Sequence, residues 1–140
     1  MKRVLLFSAL CFFLCVVSSC FHDWVEPANE LNIGEWKWTY SIGGISVDSV
    51  VPTDKVVVTL NLNNDSTYTF YLNNQVQSGG SYSIQTTADN KSILHFSQAV
   101  AVNRLYMQQE QLIIKMDSSQ LHLSDYNISD GLDHYFEKVK

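Results

Sequence analysis

The stretch that most limits how this chain can fold is Gly34-Glu35-Trp36-Lys37-Trp38-Thr39-Tyr40-Ser41-Ile42, where large apolar side chains alternate with small or polar ones. Successive side chains of an extended strand point to opposite faces, so a period of two sends Trp36, Trp38, Tyr40 and Ile42 one way and Lys37, Thr39 and Ser41 the other. Such a strand has one dry face. It delivers three aromatic bodies to a core, and the rest of the chain is expected to pack on it.

Upstream, Met1-Lys2-Arg3 is a short cationic head, and Val4 to Val17 is an apolar run too short to cross a bilayer comfortably as a mature helix. That pattern predicts a secretion signal over residues 1–19. The run closes on Val17-Ser18-Ser19-Cys20, which resembles the lipobox of bacterial lipoproteins: branched apolar, small, small, cysteine. Small side chains give the signal peptidase access to the backbone, and the thiol accepts diacylglycerol as a thioether. Cys11 and Cys15 follow leucines and do not fit. The resemblance implies lipid attachment at Cys20, cleavage before it, and a protein exported to the bacterial cell envelope, with the outer membrane as the expected address. Residues 20–33, with Pro27 and no sustained periodicity, are expected to be the lipid anchor and tether; Trp24 could plug the domain or lie at the membrane interface.

Residues 34–140 are enough for one domain and its core, and not for two. Two of the three cysteines fall in the signal and the third would carry lipid, so no disulfide is expected. The whole chain carries a net charge of −5, and loss of Lys2 and Arg3 makes the exported part more acidic still. Nucleic acid is therefore not an expected partner, and attachment to anionic lipid would rest on acyl chains rather than on charge.

Past the opening strand, Gly43-Gly44 permits a reversal, and Ile45 to Val51 is a second extended piece ended by Pro52. Lys55 to Leu62 places Val56, Val58, Leu60 and Leu62 on one face. Asn63-Asn64-Asp65 turns the chain, and Thr67 to Leu72 returns with Tyr68, Phe70 and Leu72. Gly79-Gly80 is expected to open a strand with Tyr82 and Ile84 inward. A turn at Ala88-Asp89-Asn90-Lys91 then leads to Ile93–Ser97 with Leu94 and Phe96. From Ala99 the parity slips between Val100/Val102 and Leu105/Met107, which a bulge at Asn103-Arg104 would explain. Leu112, Ile114 and Met116, then Leu121 and Leu123, then Leu132 to Val139 complete the series. About eight or nine short strands without helical periodicity predict an all-β antiparallel meander, closed into a small barrel that leaves no open edge. A two-sheet sandwich would serve the same alternation.

Gly34-x-Trp36 resembles the first-strand signature of lipocalins. Together with Gly80-Ser81-Tyr82-Ser83-Ile84, Leu121-His122-Leu123-Ser124-Asp125, Asp130-Gly131 and Tyr135, it makes Leu31 to Lys138 similar to the small lipocalin-like domains of bacterial lipoproteins. The resemblance implies a calycin-type barrel and a basic residue on a late strand packed over the first-strand tryptophan. Lys138 and Arg104 are the candidates for that role. The chain is shorter than a typical lipocalin and shows no C-terminal helix, so any cavity should be small.

A barrel of eight strands is wide enough to be filled by side chains or to hold one small ligand. Trp36, Trp38, Tyr40, Tyr68, Phe70, Tyr82, Phe96 and Tyr106 are the candidate lining for a small apolar or aromatic molecule. The alternative is a filled barrel acting as a non-catalytic interaction module, an inhibitor or accessory subunit, through outward apolar residues such as Val57, Tyr71, Ile93 and Ile113. No catalytic constellation stands out. His22, His95, His122 and His134 are scattered, and no nucleophile elbow or phosphate-binding glycine loop occurs. The oxygen-rich run Asp125 to Gly131 has the wrong register for a calcium loop and reads as a hairpin turn; no metal or cofactor is expected.

Overall fold

The computed structural model describes residues 33–45 and 48–139. The expected signal, Cys20 and all of the expected tether except Ile33 lie outside the described residues.

Within them the chain is all-β, with the elements β1 (Gly34–Gly43), β2 (Asp48–Val50), β3 (Val58–Leu62), β4 (Thr67–Leu72), β5 (Gln75–Thr86), β6 (Ser92–Phe96), β7 (Val100–Val102), β8 (Leu105–Met107), β9 (Glu110–Met116), β10 (Gln120–Asp125) and β11 (Leu132–Lys138). Eight of these, β1, β3 to β6 and β9 to β11, form an antiparallel meander. Pairing of β11 with β1 closes it into a barrel. Closure removes the open edges that a meander of this length would expose. β2 extends the wall beside the second half of β1, and β7 and β8 form a separate hairpin.

Because neighbouring strands run antiparallel, the connections alternate between two ends. The near end holds Ile33, the turns at 63–66, 87–91 and 117–119, and the last residues of β11. The far end holds the reversal after Gly43, the 51–57 segment, the Asn73-Asn74 turn, the β7–β8 hairpin and the 126–131 loop. Asn73 and Asn74 both have positive φ (49° and 66°), which fits a two-residue turn whose twist matches that of its strands.

The core is built from inward side chains of the wall. Trp36, Trp38, Val58, Leu60, Leu62, Tyr68, Phe70, Leu94, Phe96, Leu121, Leu123 and Phe136 are all buried. Phe96 sits at the centre of an aromatic cluster, edge-on to Tyr68 at 4.7 Å and to Phe70 at 6.1 Å between centroids. At the far end Val100, Val102, Leu105 and Met107 add a lid to this core.

Several local expectations are corrected. β1 carries a bulge at Thr39, between the pairs Trp38–Phe136 and Tyr40–Tyr135. The extra residue flips the parity, so Ser41 follows Trp36 and Trp38 inward while Tyr40 faces out. Gly79 and Gly80 lie inside β5 rather than at its start. There β5 changes partner from β4 to β6, and a Cβ on Gly80 would meet Ser97 Oγ at 2.2 Å. The slip after Ala99 is a hairpin turn at Asn103-Arg104, not a bulge. The pairs Val100–Met107 and Val102–Leu105 put all four apolar side chains on one face. β3 begins at Val58, because Lys55 turns with φ 70°. A register shift in the β9–β10 pairing leaves Ile114 exposed instead of aligned with Met116. Ile93, expected outside, is buried.

Candidate functional site

Of the rings expected to line a cavity, Trp36, Trp38, Tyr68, Phe70 and Phe96 are inside and buried, and Tyr82 is half-buried with its hydroxyl donating to Asn63 O at 3.0 Å. Tyr40 and Tyr106 are not inside. Tyr40 is turned out by the Thr39 bulge, and Tyr106 lies on the solvent side of the β7–β8 hairpin, 62% exposed. Trp36, Trp38, Phe70 and Phe96 are fully buried, and Tyr68, Phe70 and Phe96 pack edge to face. The Tyr68 hydroxyl and the Trp36 indole N–H are enclosed without a hydrogen-bond partner.

Near end first, the Trp36 ring is covered by Lys138, whose Nζ stands 4.3 Å from the ring centroid and donates to Ile33 O. Burial draws the Lys138 pKa below the usual lysine range. Gly34 is required beside it: its φ is +131°, and a Cβ there would sit 2.7 Å from Lys138 Cε. Gly34, Trp36 and the cation above its ring thus meet in one contact.

Toward the far end a buried polar chain links β1 to β10 and β11. Trp38 Nε1–H donates to Ser41 Oγ at 3.0 Å, and Ser41 Oγ lies 2.8 Å from His134 Nδ1. His134 Nε2 lies 3.4 Å from Asp125 Oδ1. With the imidazole proton on Nε2, each bond has a donor and an acceptor. Asp125 also accepts from Gln111 Nε2 at 2.6 Å and from the Gln108 and Leu132 amides at 3.1 Å. Burial alone would raise its pKa, but these bonds outweigh it and hold the carboxyl at about 2. A serine, a histidine and an aspartate in hydrogen-bonded order resemble a nucleophile relay. Ser41 is 2% exposed and His134 0%, so the relay is closed off from solvent, and through Asp125 it ties the 126–131 loop to the wall.

On the outer wall Tyr40, Tyr135 and His122 occupy paired positions on β1, β11 and β10 and stack in a row. Ring centroids are 4.3 Å apart for Tyr40 and Tyr135 and 4.1 Å for Tyr135 and His122, nearly parallel in both cases. Below the row, toward the near end, a groove of about 300 Å³ runs over the backbone of Leu121 and Phe136. Its other side is formed by Gln120 and Glu137, with Thr39 and Lys115 at its ends.

Exposed apolar side chains are unevenly shared between the ends. Ile45 (89% exposed), Val51, Val57, Val76, Tyr106 and Ile128 all belong to far-end connections or their flanks, whereas among the described residues Val139 lies at the near end and Tyr40 and Ile114 lie on the wall between. Arg104, at the tip of the β7–β8 hairpin, reaches across to Val51 O at 3.5 Å and has no carboxylate within ion-pair distance among the described residues.

Comparison of the chain with protein-family profiles, with curated proteins and with solved structures finds no match. Sequence pattern did not reveal the buried polar chain or the outer aromatic row. Both depend on the Thr39 bulge, for which period-two alternation carries no signal. Of the far-end apolar residues only Val57 was expected outside, and Tyr106 was expected in the lining.

Proposed function

We propose that this protein is a lipid-anchored, non-catalytic interaction module of the bacterial cell envelope, held to the outer membrane through acyl chains on Cys20. It offers the far end of a filled, lipocalin-like barrel to a protein partner, as an inhibitor or accessory subunit. The observation that carries this reading is the pairing of buried, mutually packed core rings with six exposed apolar side chains at the end opposite the start of β1. Tyr and Arg are enriched at protein interfaces, and the projecting hairpin supplies one of each, Tyr106 and Arg104. The Lys138–Trp36 contact beside Gly34 supports the lipocalin-like relationship. A carrier role, with a small apolar molecule among Trp36, Trp38, Tyr68, Phe70 and Phe96, has less support because these rings pack against one another.

The chain enters β1 at the near end, and Cys20 and Gly34 are fourteen positions apart. Fully extended, that stretch reaches at most about 50 Å, so the far end can face away from the membrane.

Two measurements test the reading. Cys20→Ala should move the protein from the membrane fraction to the soluble fraction, and its persistence in the membrane would refute the anchor. Full-length protein isolated from gently solubilised envelopes should bring down one stoichiometric companion that the double variant Ile45→Asp, Tyr106→Asp loses. Isolation without a companion, or a companion indifferent to the substitutions, would refute the docking surface.

A further inference from the structure

The groove on the outer wall is independent of the far-end surface, and we infer that it is a binding site for one pyranose ring of a carbohydrate. Its size is the first argument: about 300 Å³ lies at the lower limit of small-molecule pockets and accommodates a single sugar ring with its substituents. Its two walls are chemically different. One is the row Tyr40, Tyr135 and His122, locked by stacking at 4.3 and 4.1 Å, so the aromatic wall loses little freedom when a ligand lies against it. The other is polar and carries Gln120 and Glu137.

Hydrogen-bonding capacity then selects the ligand class. Lys115 Nζ gives one proton to Gln120 Oε1 at 2.8 Å and pairs with Asp117 Oδ2 at 3.0 Å, which leaves it one further donor. Gln120 keeps its amide N–H groups, whereas Glu137 supplies only acceptors. Thr39 Oγ1 donates to Tyr135 O at 2.8 Å and so faces a ligand as an acceptor. The groove therefore offers one cation, one anion, and both donors and acceptors. A phosphate would meet Glu137, and a quaternary amine would meet Lys115. Hydroxyl groups, which donate and accept at once, match every one of these positions, and the C–H groups of a pyranose are apolar enough to pack against the edges of the stacked rings.

The test uses the full-length protein, isotope-labelled, with methyl β-D-glucopyranoside, methyl β-D-galactopyranoside and methyl N-acetyl-β-D-glucosaminide as probes, and with tyrosinamide and inorganic phosphate as comparators. An open site of this kind should bind a single ring with a dissociation constant on the order of 1 mM. At least one glycoside should shift the backbone amides of residues 39–40, 115, 120–122 and 135–137 in a saturable way. Tyr40→Ala should weaken it about tenfold or more, and Glu137→Gln, which keeps the shape, severalfold. No saturable shift with any glycoside up to about 20 mM would overturn the inference. So would shifts centred away from the groove, or tyrosinamide or phosphate binding there in place of every glycoside. Should Tyr40→Ala lose the dispersed amide spectrum of the fold, Glu137→Gln decides alone: unchanged affinity in that variant overturns the site.

Discussion

The two ends of this barrel are closed by different physics. At the near end the turns are short and bonded to themselves. Asp65 accepts from Thr67, Asp89 from Lys91 and Thr87, and Asp117 from the Ser119 and Gln120 amides, and all three carboxyls are held below the usual range by those bonds. These turns are polar and complete in themselves. The far end is closed instead by a hairpin laid over the core and by a loop tied to Asp125, and it leaves apolar side chains outside. One end is spent on reversing the chain, and the other presents surface that folding alone does not explain.

The comparison can be broken most severely at Trp36. Replacing it by alanine removes the ring that Lys138 covers and leaves a cavity, and urea unfolding should show a loss of about 3–5 kcal/mol. A loss below about 1 kcal/mol would mean that the near end is not anchored there.

Asp125→Ala is the far-end counterpart. It strands the Gln108 and Leu132 amides and the Gln111 side chain, so unfolding should show a loss of about 2–3 kcal/mol. Amide exchange at Leu132 should rise more than at near-end amides such as Lys138.

Acid sharpens the same contrast. The folded Asp125 pKa, about 2, lies below its ordinary value of 3.8, so the carboxylate contributes stability above the unfolded value. That contribution, about 2 kcal/mol, should be lost as pH falls from about 4 to about 2. In Asp125→Asn this drop should shrink, as read by urea midpoints along the pH series.

Gly34→Ala should cost about 1–2 kcal/mol, from the positive φ and the crowding of Lys138. Ile45→Ser and Tyr106→Ser should change stability by less than about 0.5 kcal/mol. A large loss in either would make those side chains part of the fold rather than part of a surface.

Much of the wall could be read in the chain. The β3–β4 hairpin with its Asn63-Asn64-Asp65 turn, the inward Leu94 and Phe96, the Leu121–Leu123 alternation and the closure of the meander all follow from period-two patterning and turn chemistry. Lys138 was one of two cations that could cover Trp36, and the tertiary structure selects it over Arg104 because Lys138 pairs directly with Trp36 across β1 and β11. The candidate sites were far less legible. A bulge is set by the phase of hydrogen bonding between two strands, and the residues of one strand do not encode that phase. Thr39 therefore moved Tyr40 outward to stack on Tyr135, and Ser41 inward to meet His134, without any local sign.

What the sequence determined by itself was a set of strands with one dry face each, because burial of alternating side chains is a local property. Only the tertiary structure decided which polar groups could be buried, since Ser41, His134, Asp125 and Gln111 become affordable inside once they find one another across 93, 9 and 14 residues of chain.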